Sequence, residues 1–109
     1  MLTWNDFKKV EMRVGTILDA SLFPEAHKAA YKITIDLGPL GIRKTSAQIT
    51  ELYDLNELIG KQVVVVTNFP NKQIANFMSE CLILGAISSN EKVTLLTVDK
   101  PASNGDLIS

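Results

Sequence analysis

The 109-residue sequence contains one cysteine, one histidine and few aromatic residues, which make up 6% of the chain. A disulfide framework needs paired cysteines, and a structural zinc site usually takes four cysteine or histidine ligands. Cys81 and His27 supply neither set, so we expect no metal site and no cofactor. The sequence also has no phosphate-binding glycine loop, no dinucleotide-binding glycine fingerprint and no metalloprotease motif. An enzyme is therefore the least favoured class.

Long hydrophobic runs and a basic excess are missing as well. No apolar stretch approaches the ~20 residues that cross a bilayer. The segment Met1–Asp6 lacks the basic and apolar regions of a secretory signal, so we expect a cytoplasmic protein without membrane insertion. Lysine and arginine number 11 against 12 aspartate and glutamate, a net charge of -1. Strong non-specific binding to nucleic acid usually needs a basic excess, so only modest or shape-specific binding is left open.

The hydrophobic residues that are present, 46% of the chain, suffice for one core. No linker, charge block, low-complexity tract or repeat divides the sequence, so residues 1–109 are predicted to form a single domain. Near the N-terminus, Thr3 or Asn5 is a candidate cap for a short helix through Lys9. Trp4 and Phe7 share one side of that helix at an i, i+3 spacing.

Alternation of apolar and polar residues predicts the first strands. Val10–Leu18 alternates with a period of two, and Gly15 in its middle predicts a bulge or a sharp bend. Residues 31–37 alternate in the same way, and the turn formers at 38–41 follow directly. A more polar third strand is predicted from about Ile42 to Gln48.

The second half of the chain begins with a short helix, predicted from leucines spaced three to four residues apart, with Thr50 at its N-cap. The β-branched run Val63–Val66 predicts a strand buried on both faces. Residues 68–80 are too long for a tight hairpin and are predicted to form a loop, in which Phe69 is expected to enter the core. Residues 81–87 form the predicted fifth strand, and residues 93–98 an additional one.

This order of elements is three strands, a helix and two strands, with a glycine in a long first strand. It predicts an all-β fold, a five-stranded OB-fold barrel with a short helix between strands 3 and 4 and small terminal extensions. In such barrels the outward face of strands 2 and 3 and the adjoining loops usually bind the ligand. No aromatic residue is predicted on that face, so base stacking has little support.

Several segments resemble the tRNA-binding-domain family in order and spacing. They are residues 13–17, 23–26, 32–38, 46–50 with Tyr53, and 68–70 with Ser79-Glu80. The resemblance covers nearly the whole chain, and the forms of residues 46–50 and 68–70 resemble the branch of CsaA-type export chaperones. It implies an OB-fold homodimer that binds unfolded or precursor polypeptides and assists their export, whereas other branches bind tRNA.

Two positions depart from this family pattern. Lys72-Gln73 stands where CsaA-type sequences tend to have consecutive basic residues, and Asn76 stands where a glycine is usual. Asparagine tolerates a left-handed backbone better than other non-glycine residues do, which favours retention of the turn. The missing charge is expected to weaken tRNA binding and its salt dependence.

The predicted ligand-binding residues combine the expected platform with the family motifs. They are Arg13, Arg43, Lys44, Ser46, Gln48, Asn68, Lys72, Phe77, Met78 and Ser79. Their basic, hydroxyl and amide groups suit a peptide backbone or RNA phosphates, and the apolar pair suits peptide side chains. The alternatives are an internal pair for Arg13, core packing for Phe77 or Met78, and a loop-shaping hydrogen bond between Ser79 and Glu80.

Four apolar residues near the two ends are predicted to form the dimer interface, because a barrel of this size has little interior left for them. They are Trp4, Phe7, Leu107 and Ile108. The main hypothesis is a chaperone that holds an extended polypeptide by apolar contacts and main-chain hydrogen bonds. A structure-specific tRNA-binding protein is the second hypothesis, and an assembly scaffold is the third.

Overall fold

A computed structural model describes all 109 residues, which form mostly short β-strands and two short helices. In chain order the elements are α1 Trp4–Lys8, β1 Met12–Leu22, β2 Tyr31–Asp36, a 3-10 turn Gly38–Leu40, β3 Ile42–Ala47, α2 Leu55–Leu58, β4 Gln62–Val66, β5 Lys72–Ile74, β6 Phe77–Ser79, β7 Leu82–Ile83, β8 Gly85–Ile87 and β9 Val93–Leu95. Neither helix has the length and hydrophobicity to cross a membrane.

Five antiparallel strands form the main sheet in the order β3-β2-β1-β4-β7. The sheet curls until its two outer strands meet. There, the Glu80 N–H donates to the Lys44 carbonyl at 2.8 Å, and the Thr45 hydroxyl donates to the Cys81 carbonyl at 2.8 Å. The result is a nearly closed five-stranded barrel with α2 between β3 and β4, so the predicted OB fold is confirmed.

The core lies inside this barrel. Strand β2 alternates as the sequence predicts, with Tyr31, Ile33 and Ile35 buried and the residues between them half-buried. The valine run of β4 is buried throughout, also as predicted. These side chains pack against Ile17, Leu37, Ile49 and Leu58 in one hydrophobic cluster. Their burial supplies the main apolar contribution to stability.

Gly15 does not mark the bulge that its position predicted. The register between β1 and β2 shifts later, between Ile17 and Asp19. A Cβ atom on Gly15 would lie 2.5 Å from Cγ2 of Ile35 and 2.8 Å from Cδ2 of Leu37. Glycine is therefore needed here because β2 side chains pack directly against the β1 backbone.

The C-terminal segment 104–108, which we call the C-terminal strap, pairs with the first half of β1. The Gly105 N–H donates to the Val14 carbonyl at 2.8 Å, and the Ile108 N–H donates to the Met12 carbonyl at 2.8 Å. Because β4 occupies the other edge of the same residues, this half of β1 is paired on both sides. The predicted terminal extension thus completes the sheet around β1.

Residues 68–80 differ from the prediction, since they contain the hairpin of β5 and β6 instead of an irregular loop. Its two-residue turn places Ala75 in the left-handed region at φ 51°, whereas Asn76, the residue that we expected to tolerate that backbone, is not in it.

Phe69 was also wrongly predicted, because it is 56% exposed. It lies beyond the end of β4 at Val66, and Pro70 after it cannot donate to a ladder, so strand pairing does not continue through this segment.

Several further boundaries differ. Strand β1 runs over Met12–Leu22 where residues 10–18 were predicted, and the strand predicted at 93–98 ends at Leu95. Helix α2 begins after Asp54, whose N–H donates to the Glu57 carboxylate at 3.3 Å, and Thr50 is not its cap. The predicted fifth strand is divided into β7 and β8, because the chain pairs first with β4 and then with β9.

Candidate functional site

An open groove of about 530 Å³ lies between β3 and the β5–β6 hairpin. We call it the hairpin groove. It is lined by Thr45, Ser46, Phe69, Pro70, Asn71, Lys72, Ile74, Ser79, Cys81 and Leu82. These residues come from β3, from the segment that leaves β4, from both strands of the hairpin and from the start of β7 with Cys81 before it. The groove therefore adjoins the strand that the OB fold predicts as part of the ligand platform.

The hairpin is fixed over the end of β3 by contacts on one face of β6. The Phe77 ring packs against the buried Phe23 ring, with centroids 5.4 Å apart. On the same face, the Ser79 and Thr45 hydroxyl oxygens lie 3.0 Å apart in a hydrogen bond. Ser79 also donates to the Cys81 carbonyl at 3.3 Å. Phe77 and Ser79 therefore hold the β5–β6 hairpin against the barrel, and Phe77 is half-buried.

The chemistry of the groove is mainly apolar. Phe69 is 56% exposed and Leu82 is 44% exposed, so both offer hydrophobic surface to a ligand. Lys72 is the single charged residue in the lining. Burial raises the pKa of the Cys81 thiol to about 11, so the thiolate needed for nucleophilic chemistry is nearly absent near neutral pH. This arrangement suits non-covalent capture of apolar groups.

The structure brings some of the predicted ligand-binding residues together. Ser46, Lys72 and Ser79 line the hairpin groove. Lys44 is exposed on β3 beside it, and Met78 is exposed on the opposite face of β6 from Phe77. Gln48 is exposed but lines a separate polar cavity with Glu51, Asn90 and Lys92.

Arg13 lies outside the groove and has partners within the chain. Its guanidinium donates to the Gly105 carbonyl at 2.8 Å and to the Glu11 carboxylate at 3.1 Å. The other oxygen of that carboxylate accepts from the Thr67 hydroxyl. The Thr67 hydrogen bond first, and then Arg13, hold the pKa of Glu11 below its ordinary value. The internal alternative for Arg13 is therefore the one that the structure shows.

Arg43 and Asn68 are likewise held by main-chain groups. Arg43 donates to the Thr67 carbonyl at 2.6 Å. The Asn68 side chain accepts from the Glu11 N–H at 3.0 Å and donates to the Lys9 carbonyl at 2.7 Å. Asn68 therefore ties the segment after α1 to the end of β4, and the structure does not bring it into the groove.

Sequence reasoning missed Leu82 and wrongly assigned Phe69 to the core, and these two residues provide the exposed apolar surface of the site. Glu80 was expected to bond with Ser79, but its carboxylate accepts the Lys44 N–H at 2.9 Å and so helps to close the barrel. The signal for Phe69 was Pro70, because a proline cannot donate a ladder hydrogen bond and a central strand seldom continues through it.

The predicted interface residues form a second exposed surface. Trp4, Phe7, Leu107 and Ile108 all line a cavity of about 340 Å³ between α1 and the C-terminal strap. Helix α1 is held by its Thr3 cap, which accepts from the Asp6 N–H at 3.2 Å. The Trp4 side chain packs edge-to-face on Phe7 and remains 79% exposed. We call these four residues the terminal surface.

Comparison with known proteins identifies the family. The family described as "Putative tRNA binding domain" matches residues 12–107. The CsaA chaperone protein from Picrophilus torridus is 51% identical, with a TM-score of 0.93 and 100% of both chains covered. Chaperone CsaA from Bacillus anthracis is 42% identical, with a TM-score of 0.95, and the match covers 100% of this chain and 99% of that one.

A longer relative is similar over the same region. Methionine–tRNA ligase of Leptospira biflexa is 37% identical over 107 residues, which are 98% of this chain and 15% of the ligase. The chain thus spans about 15% of the length of the synthetase that it matches. The chain belongs to the tRNA-binding-domain family, and over its whole length it is similar to the CsaA chaperones.

Proposed function

We propose that this protein is a cytoplasmic, non-enzymatic chaperone, a single domain of residues 1–109 that binds unfolded or precursor polypeptides and assists their export. The observation that supports this proposal most directly is the hairpin groove, with its exposed Phe69 and Leu82 and a single charged residue. Similarity to two CsaA chaperones over the full chain also supports it.

The energetics suit reversible capture. Full burial of a leucine or phenylalanine side chain gives about 1.5–3 kcal/mol. Phe69 and Leu82 are each about half exposed, so a ligand gains roughly half of that from each side chain. A few kcal/mol shared among such contacts holds an unfolded segment without preventing its release.

The test is suppression of aggregation of a chemically unfolded model protein, followed by light scattering. Phe69→Ser should weaken suppression because it removes the largest exposed apolar side chain of the groove. Ile59→Ser is the matched control, since Ile59 is 52% exposed but lies outside the groove. Equal effects of the two variants, or no suppression by the unaltered protein, would contradict the proposal.

A second candidate function is structure-specific tRNA binding, which the family match supports. Of the basic residues predicted to contact phosphates, Arg13 and Arg43 are bonded to carbonyls within the chain. Lys44 and Lys72 remain exposed. Two phosphate contacts give a shallow salt dependence, roughly a tenfold loss of affinity between about 50 and 200 mM salt.

Fluorescence anisotropy of labelled tRNA at these two salt concentrations tests this candidate. Binding that weakens about tenfold, and that Lys44→Glu reduces further, would favour tRNA. No binding at either salt concentration would exclude tRNA binding and leave polypeptide capture as the proposed function.

We further propose that the active form is a homodimer joined through the terminal surface. Trp4 at 79% exposed and Leu107 at 58% exposed are large apolar side chains that a second copy would cover. Sedimentation at micromolar concentration should give a dimer, and Trp4→Ser should shift it toward monomer. If the unaltered protein sediments as a monomer, the homodimer proposal is wrong.

A further inference from the structure

The only Asn-Gly pair in the sequence, Asn104-Gly105, lies at the start of the C-terminal strap. Asparagine is a labile residue, and it loses its amide most readily before glycine, because no side chain shields the main-chain nitrogen that follows it. Both residues are half-buried. The structure therefore places a reactive pair at the contact between the strap and the barrel.

Two hydrogen bonds hold the Asn104 side chain. Its Oδ1 atom accepts from the Thr16 hydroxyl at 2.7 Å and from Nε2 of Gln62 at 3.3 Å. Gln62 also holds the segment just before the strap, because its side chain donates to the Ala102 carbonyl at 2.6 Å and accepts the Ala102 N–H at 2.9 Å. The side chain that would react is thus tied to β1 and β4.

The main-chain nitrogen that would attack this side chain is held as well. The Gly105 N–H donates to the Val14 carbonyl at 2.8 Å, and the Val14 N–H donates to the Asp106 carbonyl at 2.9 Å. Attack on the Asn104 side chain needs the Gly105 nitrogen free to lose its proton. The reaction therefore requires local opening of the strap.

We propose that Asn104 is a site of spontaneous deamidation, which is slow while the strap is paired and fast once the strap opens. The Gly105 nitrogen loses its proton to hydroxide and bonds to Cγ of Asn104, and the Cγ–Nδ2 bond breaks as ammonia leaves with a proton from water. Water then opens the cyclic imide. Cleavage at Cγ gives aspartate, and cleavage at the former main-chain carbonyl gives isoaspartate. This modification does not depend on the proposed function.

The two products differ in their effect on the strap. Aspartate keeps a side-chain oxygen that accepts from the same two donors, so the strap stays paired. Isoaspartate adds a carbon atom to the main chain, and the structure has no room for it there. A Cβ on Gly38 would overlap the Asn104 carbonyl, and a Cβ on Gly105 would lie 2.8 Å from the Leu37 carbonyl oxygen. Isoaspartate should therefore detach residues 105–108 from β1.

The first test measures the deamidation rate in a mildly alkaline buffer by peptide mapping and mass spectrometry. Asn104 should react at least about tenfold more slowly in the folded protein than in denaturant, which corresponds to an opening free energy of about 1.4 kcal/mol. Thr16→Val removes one bond to Asn104 and should raise the folded rate by about two- to tenfold. Thr94→Val is the matched control, because Thr94 is an exposed strand residue whose hydroxyl is not bonded to the strap.

The second test examines the product. The unaltered protein is deamidated in denaturant and refolded, and its isoaspartyl fraction is compared with Asn104→Asp, which has a normal main chain. The Ile108 N–H donates to the Met12 carbonyl at 2.8 Å, so its hydrogen exchange reports whether the strap is paired. Exchange should be about tenfold or more faster in the isoaspartyl protein than in Asn104→Asp.

The proposal is wrong if Asn104 reacts equally fast in the folded and the denatured protein, or in neither. Equal folded rates for Thr16→Val and Thr94→Val would also overturn the requirement for strap opening. Equal exchange at Ile108 in the isoaspartyl protein and in Asn104→Asp would overturn the detachment of the strap. Thermal unfolding shows whether each protein has folded, and the rates of the unaltered protein decide the question if a variant has not.

Discussion

Replacing Asn68 with alanine should loosen the attachment of α1 to the barrel. The change removes two hydrogen bonds, one from the Glu11 N–H at 3.0 Å and one to the Lys9 carbonyl at 2.7 Å. An intramolecular hydrogen bond contributes about 0.5–1.5 kcal/mol net. Asn68 is exposed, so the lower part of that range applies to each bond and the loss is about 1–2 kcal/mol. The melting temperature should fall by about 4–12 °C.

Thermal unfolding followed by circular dichroism measures this loss, and hydrogen exchange of the α1 amides shows where it occurs. Asn71→Ala is the control, because Asn71 is exposed nearby and makes no hydrogen bond within the chain. Asn68→Asp retains the acceptor alone and should lose an intermediate amount. A melting temperature for Asn68→Ala within about 2 °C of the control, a difference below about 0.5 kcal/mol, would refute the reasoning.

Three further predictions concern stability and reactivity. Because the pKa of Glu11 is lowered in the folded protein, its ionised carboxylate stabilises the fold fully above the ordinary pKa of 4.5, and this stabilisation is lost as the pH falls through the lowered pKa. The melting temperature of Glu11→Gln should therefore lie well below that of the unaltered protein at pH 7, and the difference should narrow in acid. Gly15→Ala should lower the free energy of unfolding, measured in urea, by about 1–3 kcal/mol, because the added Cβ would meet fully buried side chains. Ser21→Ala, at an exposed position, should change this free energy little. With a pKa of about 11, Cys81 should react with a disulfide reagent slowly in the folded protein and rapidly in denaturant; equal rates would contradict its burial.

The sequence predicted the parts of the fold that depend on local patterns. Alternation located β2, the valine run located β4, and the order of elements indicated the barrel. The hairpin of β5 and β6 was missed because its turn, Ala75-Asn76, lacks the glycine that usually marks a two-residue connection.

The candidate site was predicted less completely, for a different reason. Asn68 contacts residues 57 and 59 positions away in the chain, so no local pattern distinguishes it from a ligand-binding asparagine. Arg13 is similar, since its guanidinium is bonded to Gly105 across 92 positions. Such partners can be identified only from the folded structure, because the barrel brings together residues that are far apart in the sequence.

The C-terminal strap also has a consequence for synthesis on the ribosome. Met12 and Val14 are made early, but the residues that pair with one of their edges are 105–108. At about 5–20 residues per second, that edge stays open for roughly 5–20 s during translation. An unpaired strand edge is a template for pairing with other chains. The nascent protein therefore passes through a stage in which one edge of β1 can pair with other polypeptides, until residues 105–108 cover it.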